Sequence, residues 1–87
     1  MDPVKNYYIT FRSITHAQRG QQVLRNAGID SFLRRTPKTL TVRGCGYSLQ
    51  LREKVFIPAL KQLENAQLPF GQVYAIDDKG VLEEVTV

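Results

Sequence analysis

Two short segments that alternate apolar and polar residues, two further strand-like segments, two with apolar residues at helical spacing, and the order β-α-β-β-α-β predict an α+β fold. The usual arrangement of that order is the ferredoxin-like split βαβ, a four-stranded antiparallel sheet with two helices on one face. The 87 residues make one domain, 1–87, near the size at which a single core becomes adequate. Hydrophobic content of 43% and charged content of 23% are those of a globular chain, which excludes disorder.

Each element has its own signal. "NYYITFR" (6–12) places Tyr7, Ile9 and Phe11 on one face and is rich in aromatic and β-branched residues, so it is a strand. The helix that follows is capped by Ser13 or Thr15, with Gln18 as a capping-box partner for Thr15. Its stripe is Ala17, Gly20, Val23, Leu24 and Ala27, and Gly28 stops it. Gly20 costs about 1 kcal/mol of helix propensity, and close packing of helix on sheet is the compensation. "IDSFLRR" (29–35) is the second strand, and "TPKTLTVRGCG" (36–46) is a loop opened by Pro37 and closed by two glycines. "YSLQLR" is the third strand, with Tyr47, Leu49 and Leu51 on one face. In "EKVFIPALKQLENAQ", Val55, Phe56, Ala59, Leu60 and Leu63 have helical spacing, and Pro58 predicts a late start to the helix. "FGQVYAI" is the fourth strand, "DDKG" a tight turn, and "VLEEVTV" a short additional edge strand at the C-terminus.

Net charge is +4, unevenly spread. Residues 34–54 hold six basic residues and one acid (net +5), whereas residues 55–87 are net −3. The positive field therefore surrounds the glycine-rich loop and suits an anionic ligand, an acidic partner or nucleic acid. One cysteine forms no internal disulfide, which points to a reducing cytoplasm. The N-terminus "MDPVKNYYITF" lacks the features of a signal peptide, and no apolar run reaches the roughly 20 residues of a membrane helix.

That cysteine, Cys45, stands in "RGCG". A free thiol, with a pKa near 8.5, is mostly protonated at neutral pH. Arg43 favours its anion, as do Arg35 and Lys38 if they fold inward, while Gly44 and Gly46 let several N–H groups converge as an anion nest. A thiolate so held can be persulfidated or carry selenium. The alternative is plainer: Gly-Cys-Gly is a turn into the third strand, and Cys45, sharing parity with Tyr47 and Leu49, is a small buried hydrophobe.

In the expected topology the first two strands run parallel, so Ser13, Thr15 and His16 share one end of the molecule with the cysteine loop, and Leu68 and Pro69 come near. His16 is then a hydrogen-bonding partner for an adduct on Cys45, or simply a residue of the helix cap. One His and one Cys are too few soft ligands for a dedicated zinc site, and no glycine-rich phosphate loop precedes a helix, so no cofactor is expected beyond sulfur or selenium carried on Cys45. The chain reads as a carrier or binding protein and not an enzyme. Arg34, Arg35 and Lys38, with Arg43, alternatively form an interaction surface for an anionic ligand or an acidic protein. Base stacking on Tyr8 and Tyr47 is a third reading, disfavoured because the basic-aromatic ribonucleoprotein pattern is absent from the third strand. The C-terminal edge strand offers a homodimer contact.

"YYITFRSITHA", then "AGI", then "RTPKTLTVRGCGYSLQLR" resemble the small bacterial selenium/sulfur carrier protein-like family over residues 7–76. The most specific part is Thr36-Pro37-Lys38 followed by Cys45-Gly46 and a hydrophobic strand; Thr15-His16 after the first strand also matches. The resemblance implies a bacterial cytoplasmic carrier with Cys45, Gly46, Pro37 and His16 as motif residues, a sulfur- or selenium-donor protein and an acceptor protein as partners, and no membrane association. The "QRGQQ" of the first helix and the final hairpin depart from the family's pattern.

Overall fold

The computed structural model describes residues 5–36 and 46–85. Its elements are β1 (Asn6–Phe11), α1 (Ile14–Asn26), β2 (Phe32–Arg35), β3 (Tyr47–Arg52), α2 (Glu53–Asn65), β4 (Val73–Ile76) and β5 (Leu82–Val85). They form an antiparallel sheet of order β2-β3-β1-β4-β5, which is the ferredoxin-like arrangement with one strand added at the β4 edge.

Register follows from alternation. Phe11 lies opposite Tyr47, Ile9 opposite both Leu49 and Val73, and Tyr7 opposite both Leu51 and Ala75, so the apolar sets of three strands share one face. Both helices lie on that face. Ala17 and Leu24 from α1, and Phe56, Ala59, Leu60 and Leu63 from α2, complete the core with Ile9, Phe11, Leu49, Leu51 and Val73. The rings of Tyr7 and Phe56 meet at 4.1 Å between centroids, tilted by 52°.

At Gly20, α1 packs tightly on the sheet. A Cβ there would stand 3.0 Å from Cζ of Phe11 and 3.3 Å from Cδ1 of Leu49. Both neighbours are fully buried, so neither can swing away. The helix gives up propensity at this position to sit on Phe11.

Both helices end in the same way. After α1, the N–H of Gly28 donates to the Arg25 carbonyl (3.0 Å) and that of Ile29 to the Leu24 carbonyl (2.8 Å), with Gly28 at φ 77°. After α2, Gln67 donates to Glu64 (3.0 Å) and Leu68 to Leu63 (3.0 Å), with Gln67 at φ 55°. These are paired Schellman motifs, each closed by a buried apolar residue, Ile29 or Leu68. The sequences, Asn-Ala-Gly-Ile and Asn-Ala-Gln-Leu, differ mainly at the left-handed position.

Three boundaries depart from the sequence reading. The second strand begins at Phe32 instead of Ile29, because Ile29 is used in closing α1. The fourth begins at Val73 instead of Phe70; before it, Gly71 donates to the Thr10 carbonyl (2.7 Å) and the Gln72 carbonyl accepts from both the N–H and Oγ1 of Thr10. The second helix does not start late: it begins at Glu53 and runs through Pro58. Proline inside a helix costs about 3 kcal/mol, and burying Phe56, Leu60 and Leu63 at about 1.5–3 kcal/mol each outweighs it. The "DDKG" turn forms as expected: Oδ1 of Asp77 accepts from the N–H groups of Lys79 and Val81 (2.9 Å each), and Gly80 adopts φ 80°.

Two substitutions test this account. Gly20→Ala gains about 1 kcal/mol of helix propensity but forces about 1–3 kcal/mol of overpacking, so a net loss of about 1 kcal/mol is expected by urea denaturation; a rise in the midpoint refutes the close-approach argument. Gln67→Gly relieves a left-handed conformation costing about 1–2 kcal/mol at an exposed position and loses part of that to unfolded-state entropy. The expected result is a stabilisation of about 0.5 kcal/mol, and a lowered midpoint contradicts it.

Candidate functional site

The end of the sheet where β1 finishes is defined by one row of partners. Phe11 faces Tyr47, which faces Arg35. Just beyond that row, the N–H of Thr36 donates to the Gly46 carbonyl at 2.9 Å, fastening together the two ends of the segment 37–45. The start of α1 and residues 70–72 reach the same end, the latter through Thr10. The topology thus brings Ser13, Thr15, His16, Thr36 and Gly46 to one pole, as the order of elements implies.

Pro37, Lys38, Arg43, Gly44 and Cys45 lie outside the described residues. Gly46 is half-buried, and a Cβ placed on it would meet nothing within 4 Å.

His16 is exposed and belongs to the helix cap. Ser13 is the N-cap residue; its Oγ accepts from the backbone N–H of His16 at 3.2 Å and shares a 2.8 Å hydrogen bond with Nδ1 of the same residue. The cap is therefore Ser13, reinforced from the third helical position by a histidine ring, and not Thr15 with Gln18. Nδ1 is committed to the cap, which leaves Nε2 as the nitrogen open to other partners.

Arg34 and Arg35 do not form one patch. Adjacent residues of a strand point to opposite faces: Arg34 stands opposite Ser48 on the face without helices, and Arg35 opposite Tyr47 on the helix side. Both are exposed, and neither has an ion-pair partner among the described residues. Tyr47 is corrected as a base-stacking candidate, since it packs against the core on the helix side. Tyr8 is on the other face, half-buried.

The burial of two hydroxyls escaped the sequence reading. Ser48 is fully buried and Thr36 is 6% exposed, and neither hydroxyl has a hydrogen-bond partner among the described residues. By register, Ser48 shares the helix-free face with Thr10 and Arg34. An unpaired buried hydroxyl costs about 1–3 kcal/mol. The cost falls on the two strands that flank the glycine-rich segment, one hydroxyl in the residue immediately before it and the other three residues after Cys45. Alternation marked Ser48 as facing away from the core, but nothing in the sequence indicated that it is enclosed.

Among the described residues, no group of three or more His, Cys, Asp or Glu is placed to hold a metal ion, and no helix is long and apolar enough to cross a membrane.

The family described as "Putative Se/S carrier protein-like" has a model that matches residues 6–75. The chain belongs to that family. No curated protein and no solved structure matches it. The match starts on the first residue of β1 and stops one residue before the end of β4, so the carrier-like family's span is the four-stranded split βαβ unit. The Asp77–Gly80 turn and β5 extend this chain beyond it.

Proposed function

We propose that the protein is a sulfur or selenium carrier whose cargo is held on Cys45. The observation that carries this reading is the conjunction of membership in a Se/S carrier-like family with a sequence that contains one cysteine. If cargo is bonded to a thiol of this chain, that thiol is Cys45. The transfer needs no external oxidant. The Cys45 thiolate attacks the terminal sulfur of a donor persulfide, the donor's S–S bond breaks, and a new S–S bond forms on Cys45 as the donor leaves as thiolate. A selenium atom bonded to a donor sulfur is passed in the same way. The protein is then a substrate of its donor and acceptor proteins more than a catalyst.

The physical surroundings support such a role. The basic run around the loop favours an anionic adduct electrostatically. The hydroxyls of Thr36 and Ser48, without a partner among the described residues, are donors at the pole where the loop begins and ends.

The test is intact mass after incubation with a cysteine desulfurase and cysteine, or with a selenocysteine lyase and selenocysteine. A gain of about 32 Da for sulfur or about 79 Da for selenium is expected, removable by reductant and absent in Cys45→Ser. Failure to load, beside a carrier that does load under the same conditions, overturns the reading.

A second reading, an interaction module for acidic partners, is favoured by Arg34 and Arg35, which are exposed and have no ion-pair partner among the described residues. The two are separated by pull-down from a cell extract against the wild-type chain. If the protein is only a binding module, Cys45→Ser leaves the captured partners unchanged and Arg34→Glu with Arg35→Glu removes them; if it is a carrier, a mixed-disulfide partner disappears in Cys45→Ser.

A further inference from the structure

At the opposite end of the sheet from the glycine-rich segment, a cleft of about 470 Å³ opens beside the starts of β1 and β2 and the end of β3. It is within the range of about 300–1,000 Å³ usual for small-molecule sites. Asn6, Asp30, Phe32, Gln50, Arg52 and Lys54 supply its functional groups.

These residues are ordered by the sheet. Phe32 lies opposite Gln50 and Asn6 opposite Arg52, so all four occupy adjoining rows of the helix-free face. Phe32 is 55% exposed although it is the largest apolar side chain of its strand, and its ring is free to be covered. Arg52 and Lys54 are exposed and have no ion-pair partner among the described residues. Two carboxylates are close in the chain, Asp30 in the cleft wall and Glu53 between the two cations. The Cα atoms of Phe32 and Arg52 are diagonal neighbours, one strand spacing across and two residues along, which is roughly 8 Å. Phe32 and Gln50 thus form one row of the cleft and Asn6 and Arg52 the next, with Asp30 and Lys54 also in its lining, so an aromatic ring, two amides, a carboxylate and two cations face one cavity.

We propose that this cleft binds a free purine mononucleotide. The base stacks on Phe32, the ribose hydroxyls donate to the Asp30 carboxylate, and the 5′-phosphate is held by Arg52 and Lys54, with Asn6 and Gln50 as hydrogen-bonding walls. An acidic peptide suits the cations but leaves the exposed ring and Asp30 unexplained, and inorganic phosphate uses only one third of the site. The site is independent of the carrier reading and sits at the far pole from its loop.

Titration of the isotope-labelled chain with AMP, GMP, adenosine, inorganic phosphate and an acidic hexapeptide, followed by amide shifts and calorimetry, tests this. The expected result is saturable shifts clustered at Asn6, Asp30, Phe32, Gln50, Arg52 and Lys54, with AMP or GMP binding at least about tenfold more tightly than adenosine, phosphate or the peptide. Phe32→Ala should weaken AMP by about fivefold or more without changing the weak binding of phosphate, because stacking is lost and charge is kept. Arg52→Gln with Lys54→Gln should weaken AMP by about tenfold or more, while circular dichroism reports an intact fold at these exposed positions. Cys45→Ser should bind AMP like the parent, so that failure here and failure of sulfur loading are separate results. Absence of shifts with millimolar AMP or GMP, shifts outside the cleft, or equal affinity for phosphate or the peptide overturns the proposal.

Discussion

Strand β1 is bonded on both sides, to β3 and to β4, and the location of everything else follows from that constraint. A central strand cannot take its next sequential strand as a neighbour when both sides are filled by later ones. β2 is therefore pushed to the edge beyond β3, and α1 must cross the sheet to reach it. The crossing is only possible at close range. Gly20 lets α1 settle onto Phe11 and Leu49, which a Cβ at that position would crowd. Once α1 lies across the sheet, the end of β1, the start of α1 and the β2–β3 connection share one pole. Thr36 and Gly46 meet there through a backbone hydrogen bond.

Much of this was legible in the sequence because it depends on local periodicity. The alternation in 6–11 and 47–52 and the helical stripes around Leu24 and Leu60 each declare a face, and the faces allow one sensible arrangement. What was not legible depended on exchange between local and tertiary terms. Pro58 signals a helix start when read locally; three large buried side chains override it. Ile29 has strand propensity, yet the left-handed turn at Gly28 assigns it to the helix end. Gln67 carries no left-handed signal, although it occupies the same place after α2 as glycine does after α1. Ser13, not Thr15, caps α1 because the histidine three residues on, and not the expected glutamine, completes the box.

The site divides along the same line. Loop composition, basic surroundings and the shared pole were visible in the chain order. The opposed directions of Arg34 and Arg35 were visible in principle, since any strand separates consecutive residues, but that separation matters only once β2 is known to be an edge strand with both faces accessible. The enclosure of Ser48 and Thr36 had no sequence signal, because burial of a hydroxyl is decided by what comes to lie over it. The far cleft was equally silent. Its residues come from positions 6, 30–32 and 50–54, and no window of sequence contains them together.

Charge gives these separate features a common physical logic. Of the six basic residues in 34–54, Arg34 and Arg35 lie on β2, Arg52 at the end of β3 and Lys54 at the start of α2, so positive charge reaches both ends of the sheet. Arg34 and Arg35 stand near the glycine-rich segment, and Arg52 and Lys54 near the cleft. Isolated surface cations do little for stability, and these four find no carboxylate among the described residues, so folding energy gives no reason for their arrangement. Arg34 and Arg52 share the helix-free face of the sheet by register, and that face is a surface that draws anions to it. An anionic cargo at one pole and an anionic small ligand at the other would experience the same field, and salt would weaken both together. The aromatic ring of Phe32 does not depend on that field, and it is this difference that separates a site built for a particular ligand from one that attracts any anion.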